Sequence, residues 1–261
     1  ESFLCESINN IGLTSTYSLL VSNQLGGTSL SVLVKDDHIP RIRNVEITSL
    51  KTGFGGMTGN KGTVAIRLDF DDTPICFLGS HFTAGQQYHS DRDREYAWIL
   101  QTLRFTRQKR IESHDVIVWM GDFNYRSDCS FEEACELIQR EDYSVLLRYD
   151  QLSRSMARGS AFKDYHEAPI TFPPTYKYDP HSSLYDTSEK MRCPSYCDRV
   201  LVNKCEDVRV WWYGRASGID LSDHRPVKAV VEFTVRQIDR VVLERLQSAL
   251  SARPAPHLQD P

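Results

Sequence analysis

The stretch from Asp115 to Arg126, DVIVWMGDFNYR, constrains the fold of this chain more than any other. Val116 to Met120 is an unbroken apolar run, bounded by His114-Asp115 on one side and Gly121-Asp122 on the other. A run this short predicts a strand buried on both faces, with a buried helical turn as the alternative that periodicity leaves open. Asp122 and Asn124 follow the glycine at once. A carboxylate and an amide at the end of a buried strand stand where open α/β sheets place their ligands. Chemically this suits a metal-assisted phosphate site. Taken alone, an ordinary Asp-x-Asn turn accounts for the same residues.

A chain of 261 residues, 40% hydrophobic and 25% charged, is long enough for one large α/β domain or two small ones. The net charge of −4 gives no reason to expect a nucleic-acid binder recruited by overall charge, so an anionic substrate has to meet a local basic patch. No apolar run approaches the roughly 20 residues that span a bilayer. Residues 1–10 carry neither a basic leader nor an apolar leader core, and Glu1 is not an initiator methionine, so a fragment is expected. The seven cysteines are odd in number and scattered. Cys193-x-x-x-Cys197 lacks the second pair of a zinc site, and free thiols in a reducing cytosol are the expectation.

Along the chain, Tyr17 to Ser22 and Ser29 to Lys35 predict two strands joined by a turn-rich connector, and Ile42 to Lys51 a third. Thr52 to Gly62, TGFGGMTGNKG, holds five glycines in eleven residues, enough for close backbone approach to a ligand or for a plain hairpin loop. Its spacing is not that of a P-loop. Thr63 to Phe70 alternates cleanly. Ile75 to Leu78 is a further strand that delivers Ser80-His81-Phe82 at its end. His89 to Lys109 predicts an amphipathic helix. Ser130 and Glu133 fit a capping box opening a helix to about Arg140, with a short helix near Tyr143 to Leu147. Ser153 to Ala168 and His181 to Arg192 read as irregular. Pro173-Pro174 excludes helix from the loop that carries Tyr176 and Lys177. Strands return at Arg199 to Asn203, Val208 to Tyr213 and Val227 to Val235. The order of hairpin, helix and buried strand predicts a layered α/β sandwich. Ile238, Val242, Leu246 and Ala249 lie at helical spacing, on a helix that packs on the domain or offers a partner or membrane contact; a Pro-containing tail or linker follows.

Four strand ends share a character: Asn60-Lys61, His81, Asp122-Asn124 and Asp223-His224. Each offers groups useful on a phosphate. Hydrolysis of a phosphomonoester needs charge neutralisation, an oriented water and cations around the phosphoryl oxygens. Each segment is also an ordinary structural feature by itself.

The motifs KTGFGGMTGNKG (51–62), SHFTAGQ (80–86), WMGDFNYR (119–126), FPPTYKYD (172–179), YDTSEKMRCPSYCDRVL (185–201), YGRA (213–216) and SDHRPV (222–227) bring a family into view. From about Tyr17 to Phe233 the chain resembles the inositol polyphosphate 5-phosphatases of the DNase I-like endonuclease/exonuclease/phosphatase superfamily, and YDTSEK and YGRA point to the synaptojanin branch. The resemblance implies a four-layered α/β sandwich of two packed mixed sheets flanked by helices. It implies Mg²⁺-dependent removal of the 5-phosphate from phosphatidylinositol 4,5-bisphosphate at a membrane surface, and from soluble inositol phosphates such as inositol 1,4,5-trisphosphate. A cytoplasmic, peripherally membrane-bound enzyme that does not act on nucleic acid is expected.

Carried over by position, the resemblance makes Asp122 the base that positions water and Asn124 its helper. His224 binds the scissile phosphate, Asp223 orients the His224 ring, and His81 gives a second phosphate contact. Asn60 lies in the same site. Tyr176, Lys177 and Lys61 recognise the neighbouring 4-phosphate, and Asp198 and Arg199 support the pocket. Phe54, Met57 and Phe82 are candidates to dip into a membrane. Tyr196 stands where the family more often has Trp.

One departure matters. The family's first strand, and the following strand whose Glu holds the metal, have no counterpart in residues 1–16. The expectation is a 5-phosphatase domain over residues 1–235 without its first strands and a principal metal ligand, then a helix and tail over 236–261. Two rivals stand beside this reading: another phosphodiesterase or nuclease of the superfamily, and a phosphoinositide-binding fragment without turnover.

Overall fold

The computed structural model describes residues 2–12, 14–216 and 218–251. In chain order the elements are α1 (Ser2–Asn10), β1 (Tyr17–Leu25), β2 (Thr28–Lys35), β3 (Ile42–Thr52), α2 (Gly53–Gly56), β4 (Thr58–Phe70), β5 (Thr73–His81) and α3 (His89–Thr102). They continue with β6 (Val116–Asp122), α4 (Phe131–Gln139), α5 (Tyr143–Leu146), α6 (Gln151–Arg158), β7 (Tyr165–His166), β8 (Asp198–Asn203), β9 (Val208–Arg215), β10 (Val227–Phe233) and α7 (Arg240–Ser251).

A six-stranded sheet of order β3-β4-β5-β6-β8-β7 forms the middle layer. It is mixed: β5 and β6 run parallel and the other neighbours antiparallel. The parallel pair needs a crossover, and α3 supplies its helix. Because strand side chains alternate between faces, the buried run in β6 serves two cores. Ile117 and Trp119 join Leu78, Tyr96, Ile99, Phe123 and Phe162 on the α3 side. Val116 and Val118 join Leu68, Ile75 and Val202 on the other. Trp119 donates its indole N–H to Ser80 Oγ (2.7 Å), which satisfies the one polar atom the ring buries. Each such fully buried large side chain contributes about 1.5–3 kcal/mol.

The second face is covered by two antiparallel hairpins, β1-β2 and β9-β10. Leu30, Val32 and Leu20 come from one, Val210, Val231 and Phe233 from the other. Among the described residues no ladder joins the hairpins, so this layer is two pieces over one sheet. Residues 2–10 are helical, and Asn9 ties α1 to the start of β1 by exchanging two hydrogen bonds with the Tyr17 backbone (2.8 and 3.0 Å).

Local signals explain most elements. Ser130 Oγ accepts from Glu133 N (3.1 Å) and caps α4. The capping box is half made, because Glu133 instead accepts from the Tyr149 hydroxyl (2.6 Å). The predicted helix over 89–109 stops at Thr102. α6 corrects the irregular reading of 153–168. Asp150 accepts from Ser153 N (2.8 Å) at its start, and Gly159 ends it at φ 73°. Past β10 the chain is strapped to the β4–β5 turn: Arg236 N donates to Thr73 Oγ1 (2.7 Å) and Ile238 N to Asp72 (2.8 Å). α7 then leaves Val241, Val242, Leu246 and Leu250 exposed, so it does not pack on the domain among the described residues. Residues 252–261 lie outside the described residues. No helix of the described residues is long and apolar enough to cross a membrane.

Candidate active site

The register of the sheet assembles the site. Gly62 pairs with His81, His81 with Asp122, and Asp122 with Asp198. These positions on β4, β5, β6 and β8 form one transverse row at the sheet's end. Directly opposed residues share a face, and this row shares the face of Val64, Phe77, Met120 and Val200, under the two hairpins. Gly121 permits the close approach of β6 to β5: a Cβ there would meet Ser80 O at 2.1 Å, and its φ is 134°.

Asp122 is held from three sides. Its Oδ1 accepts from Asn124 N (3.0 Å) and its Oδ2 from Asn124 Nδ2 (3.0 Å). Asn124 takes the left-handed backbone, φ 56°, which asparagine tolerates better than most side chains. Its Oδ1 accepts in turn from Arg126 Nη2 (2.6 Å), which fixes the amide's orientation. Nε2 of His81 lies 3.2 Å from Asp122 Oδ2 and also meets the Lys61 ammonium. Burial pushes the Asp122 carboxyl up, but His81, His224 and Lys61 outweigh it and hold the group below the usual carboxylate value. Burial is the main reason that the Lys61 ammonium sits below its ordinary value, with Asp122 pulling the other way.

His224 enters from the loop before β10. Its Nδ1–H donates to Asp198 Oδ2 (2.8 Å), and that oxygen also accepts from Thr175 Oγ1 (2.7 Å). Nε2 is thereby left for a ligand. Burial lowers the imidazole's proton affinity, yet Asp198, with Asp122 and Asp223 behind it, raises it overall. The ring lies against Tyr176 (4.6 Å between centroids), and the Arg126 guanidinium covers the other part of that ring at 4.2 Å.

Two cavities flank this cluster. One, of about 420 Å³, is lined by His81, Asp122, Asp198, Ser222 and His224 beneath the β1-β2 turn. The other, of about 800 Å³, is walled by Arg126, Tyr176, Lys190 and Arg192. Tyr176 lines the larger cavity, and its ring packs on His224, which lines the smaller. The smaller can hold one reacting phosphate, and the larger offers cations to further anionic groups.

The predicted residues do not all converge. Asp122, Asn124, His81, Lys61, Asp198, Tyr176 and His224 do. Asp223 does not orient His224: its carboxylate accepts from Ser222 Oγ (3.3 Å), and Asp198 does the orienting. Asn60 is exposed and accepts from Thr58 Oγ1 (2.6 Å) inside the glycine loop. Arg199 is buried on the opposite face, between Asp150 (3.0 Å) and Glu167, and reaches neither cavity. Lys177 lies 3.7 Å from the fully buried Asp186, so its ammonium is partly committed inside the protein. Asp186 also accepts from Arg192 N (3.0 Å); burial opposes its charge, but hydrogen bonds from Ser188 and Arg192 hold it near a pKa of about 2. Phe82 is fully buried in the aromatic core and cannot enter a membrane. Met57 is 81% exposed, and the Phe54 side chain lies outside the described residues.

Arg126, Lys190, Arg192 and Asp186 were not singled out by sequence reasoning. All four lie inside quoted motifs, but nothing in their spacing separates a cavity wall from a solvated loop.

The donor set admits a divalent cation. Asp122, Asp198 and His224 each offer a ligand atom, all within 4.8 Å of one another. Two carboxylates suit Mg²⁺ or Ca²⁺, which take oxygen ligands and fill remaining positions with water and substrate phosphate.

Comparison with known proteins agrees with this geometry. Residues 2–230 match the model of the endonuclease/exonuclease/phosphatase family 2. Human synaptojanin-2 is 41% identical over 274 residues, covering 94% of this chain and 18% of that protein. The inositol-1,4,5-trisphosphate 5-phosphatase 1 of Schizosaccharomyces pombe is 43% identical over 230 residues, covering 86% and 20%. The chain thus spans about a fifth of the length of these relatives. The solved inositol polyphosphate 5-phosphatase domain of SPsynaptojanin, in complex with inositol (1,4)-bisphosphate and a calcium ion, superposes with a TM-score of 0.85 at 40% identity, over 95% of this chain and 74% of that one. With its sheet register, its cluster of Asp122, Asp198 and His224, and these likenesses, the chain belongs to the inositol polyphosphate 5-phosphatase family of the endonuclease/exonuclease/phosphatase superfamily.

Proposed function

We propose that this chain is the catalytic part of an Mg²⁺-dependent phosphatase that removes the 5-phosphate from phosphatidylinositol 4,5-bisphosphate at a membrane surface, and from inositol 1,4,5-trisphosphate in solution. The observation that carries this reading is the Asp122–Asp198–His224 cluster in one cavity beside a second cavity walled by cations, with Tyr176 of the second packed on His224 of the first. A ligand with several phosphates uses both halves; a simple phosphomonoester uses one.

The residues divide the work. Asp122 stays ionised and accepts a proton from the attacking water, with Asn124 fixing its oxygens. The water oxygen bonds to phosphorus, the bond from phosphorus to the inositol oxygen breaks, and that oxygen takes up a proton. Protonated His224 donates to the phosphoryl oxygens, where negative charge is redistributed in the transition state, and His81 lies against the same phosphate. Arg126, Lys190 and Arg192 hold the flanking phosphate, and Lys61 adds a cation beside the reacting one. Asp122 and Asp198 would hold a divalent cation, which would supply neutralisation of the phosphate charge.

Phosphate release from short-chain phosphatidylinositol 4,5-bisphosphate, with Mg²⁺ and with a chelator, tests this. Release that needs Mg²⁺ and leaves phosphatidylinositol 4-phosphate supports the reading. Binding of the lipid without turnover by the folded chain, or faster cleavage of abasic DNA, overturns it. At the membrane, Met57 is the exposed apolar tip that meets the interface. Met57→Ser is expected to lower turnover on vesicles about threefold and leave the short-chain substrate unaffected; equal loss on both would remove Met57 from that role.

A further inference from the structure

Two thiols face each other at the rim of the larger cavity. Cys129 Sγ lies 3.7 Å from Cys193 Sγ, and both residues line the cavity wall. Cys129 belongs to the loop between β6 and α4, immediately before the cap Ser130. Cys193 belongs to the segment leading into β8. They are 64 residues apart, both half-buried and both free. The hydrolytic chemistry derived above uses neither.

We propose that Cys129 and Cys193 form a reversible dithiol–disulfide pair that fixes the spacing of the two loops framing this cavity, with a peroxide as oxidant and a small thiol as reductant. A disulfide is about 2.05 Å long, so the sulfurs have to close by about 1.7 Å from their present separation. Side-chain rotation and a small loop shift cover that distance. One loop is already pinned: Ser127 N donates to Ser195 Oγ (3.1 Å), and Ser195 and Tyr176 exchange backbone hydrogen bonds (2.7 and 3.2 Å). The stretch 187–193, which carries Lys190 and Arg192, is tied within its own loop by Asp186, which accepts from Ser188 N (3.2 Å) and Arg192 N (3.0 Å), and it reaches the 127–130 loop through the Cys193 sulfur.

The setting assigns the roles. The Cys193 thiol donates toward Cys129, which brings Cys129 below its ordinary pKa and pushes Cys193 up. Among the charges beside Cys129, Glu133 and Asp128 oppose a thiolate and Arg154 favours one, so the neighbouring thiol decides the direction. Cys129 therefore attacks first: its thiolate takes one oxygen of the peroxide, the O–O bond breaks, and after protonation one water leaves a sulfenic acid. Cys193 then attacks that sulfur, the S–O bond breaks, a second water leaves and the S–S bond forms. In total two thiols and one hydrogen peroxide give one disulfide and two waters. Two molecules of a small thiol return the pair to its reduced form.

The chemistry is independent of the proposed phosphatase activity, and so is its test. The whole chain is treated with hydrogen peroxide, capped with N-ethylmaleimide, digested without reduction and analysed by mass spectrometry. The expected product is a Cys129–Cys193 cross-linked peptide that dithiothreitol abolishes. The oxidised chain is expected to melt about 5 °C higher, because the link closes a long loop. Amides of 187–193 are expected to exchange at least threefold more slowly. In Cys193→Ser the melting and exchange changes disappear, and Cys129 is trapped by dimedone as a sulfenic acid. Recovery of Cys129 and Cys193 as maleimide adducts after peroxide, linkage to other cysteines, or an unchanged exchange rate in the cross-linked chain would each overturn the proposal.

Discussion

Asp198 and Arg199 are neighbours on β8, both charged, and they do opposite things. Asp198 faces the hairpin layer, where its side chain keeps 20% exposure and holds His224 at 2.8 Å. Arg199 faces the helix side with no exposure, between Asp150 and Glu167. Its guanidinium donates both to Asp150 (3.0 and 3.1 Å) and to the Tyr196 carbonyl (3.2 Å), and Glu167 also accepts from the Tyr213 hydroxyl (2.9 Å). That network leaves Arg199 nothing to offer a ligand. Asp198, whose one fixed commitment beyond His224 is Thr175, sits beside a cavity. A charge that is fully satisfied inside the protein stabilises the arrangement around it, and a charge left partly open can do chemistry. The strand's alternation decides which is which.

The largest break expected between the two sides comes from Asp122→Ala, which belongs with Asp198. It is expected to lower kcat on the short-chain lipid about 10³- to 10⁴-fold, the scale of losing a general base. His81, His224 and Lys61 outweigh the carboxylate's burial, so its loss also removes some stability, and the melting temperature is expected to fall by about 2–4 °C, far less than the activity. A drop in melting temperature that matches the lost activity would merge the two sides and remove the distinction.

Arg199→Met is expected to do the reverse. It leaves Asp150 and Glu167 buried without their cation, at a cost of about 3–5 kcal/mol. In a domain of this size that corresponds to roughly 10 °C in Tm. Where the variant is folded, kcat should stay near that of the parent chain. Lost kcat at an unchanged Tm would put Arg199 back in the site.

This division shows why the sequence yielded only part of the site. Asp122, Asn124, His81 and His224 lie at strand ends, which their flanking apolar runs mark. The phase of β8 was not readable, since Leu201 and Val202 are both fully buried and a strand covered on both faces carries no polar stripe. Arg199 was therefore indistinguishable from Asp198. Asn60 and Lys61 pose the same problem on β4. Asp223 looked like the partner of His224 because it is next to it in sequence, yet the partner comes from a strand 26 residues away. Asp186 is buried in a segment without regular structure, held by Lys177 and Arg192, and no periodicity announces such a group. α6 escaped because only Leu152 and Ser155 of its helix-spaced residues, with Gln151, are buried. The central strand, the β1-β2 hairpin, the separate strands β9 and β10, the capped α4 and the layer order were legible, because alternation, glycine turns and a serine cap each have one local cause.

The finest test separates Asp198's charge from its geometry. Asp198→Asn keeps an oxygen that can accept from His224 Nδ1–H, so the ring stays in place while the anion is lost. The His224 imidazole is raised above its ordinary value of 6.5 because Asp198 outweighs burial. A raised pKa means that this pair's stabilisation is complete below about pH 6.5 and is lost as pH rises through the folded value. Activity that needs protonated His224 falls over the same range, while the acid limb follows Asp122, which is ionised down to below 3.8. In the Asn variant burial meets less opposition, so the alkaline limb of the pH–rate profile should move to lower pH. At the parent's optimum kcat should fall about 10- to 100-fold, the scale of losing a carboxylate that orients a ligand-binding histidine in a metal site. A uniform loss with the alkaline limb unmoved would mean that Asp198 acts on something other than His224's proton. The carboxylate would then count as a ligand of the cation it shares with Asp122, and the comparison with Arg199 would rest on metal binding instead.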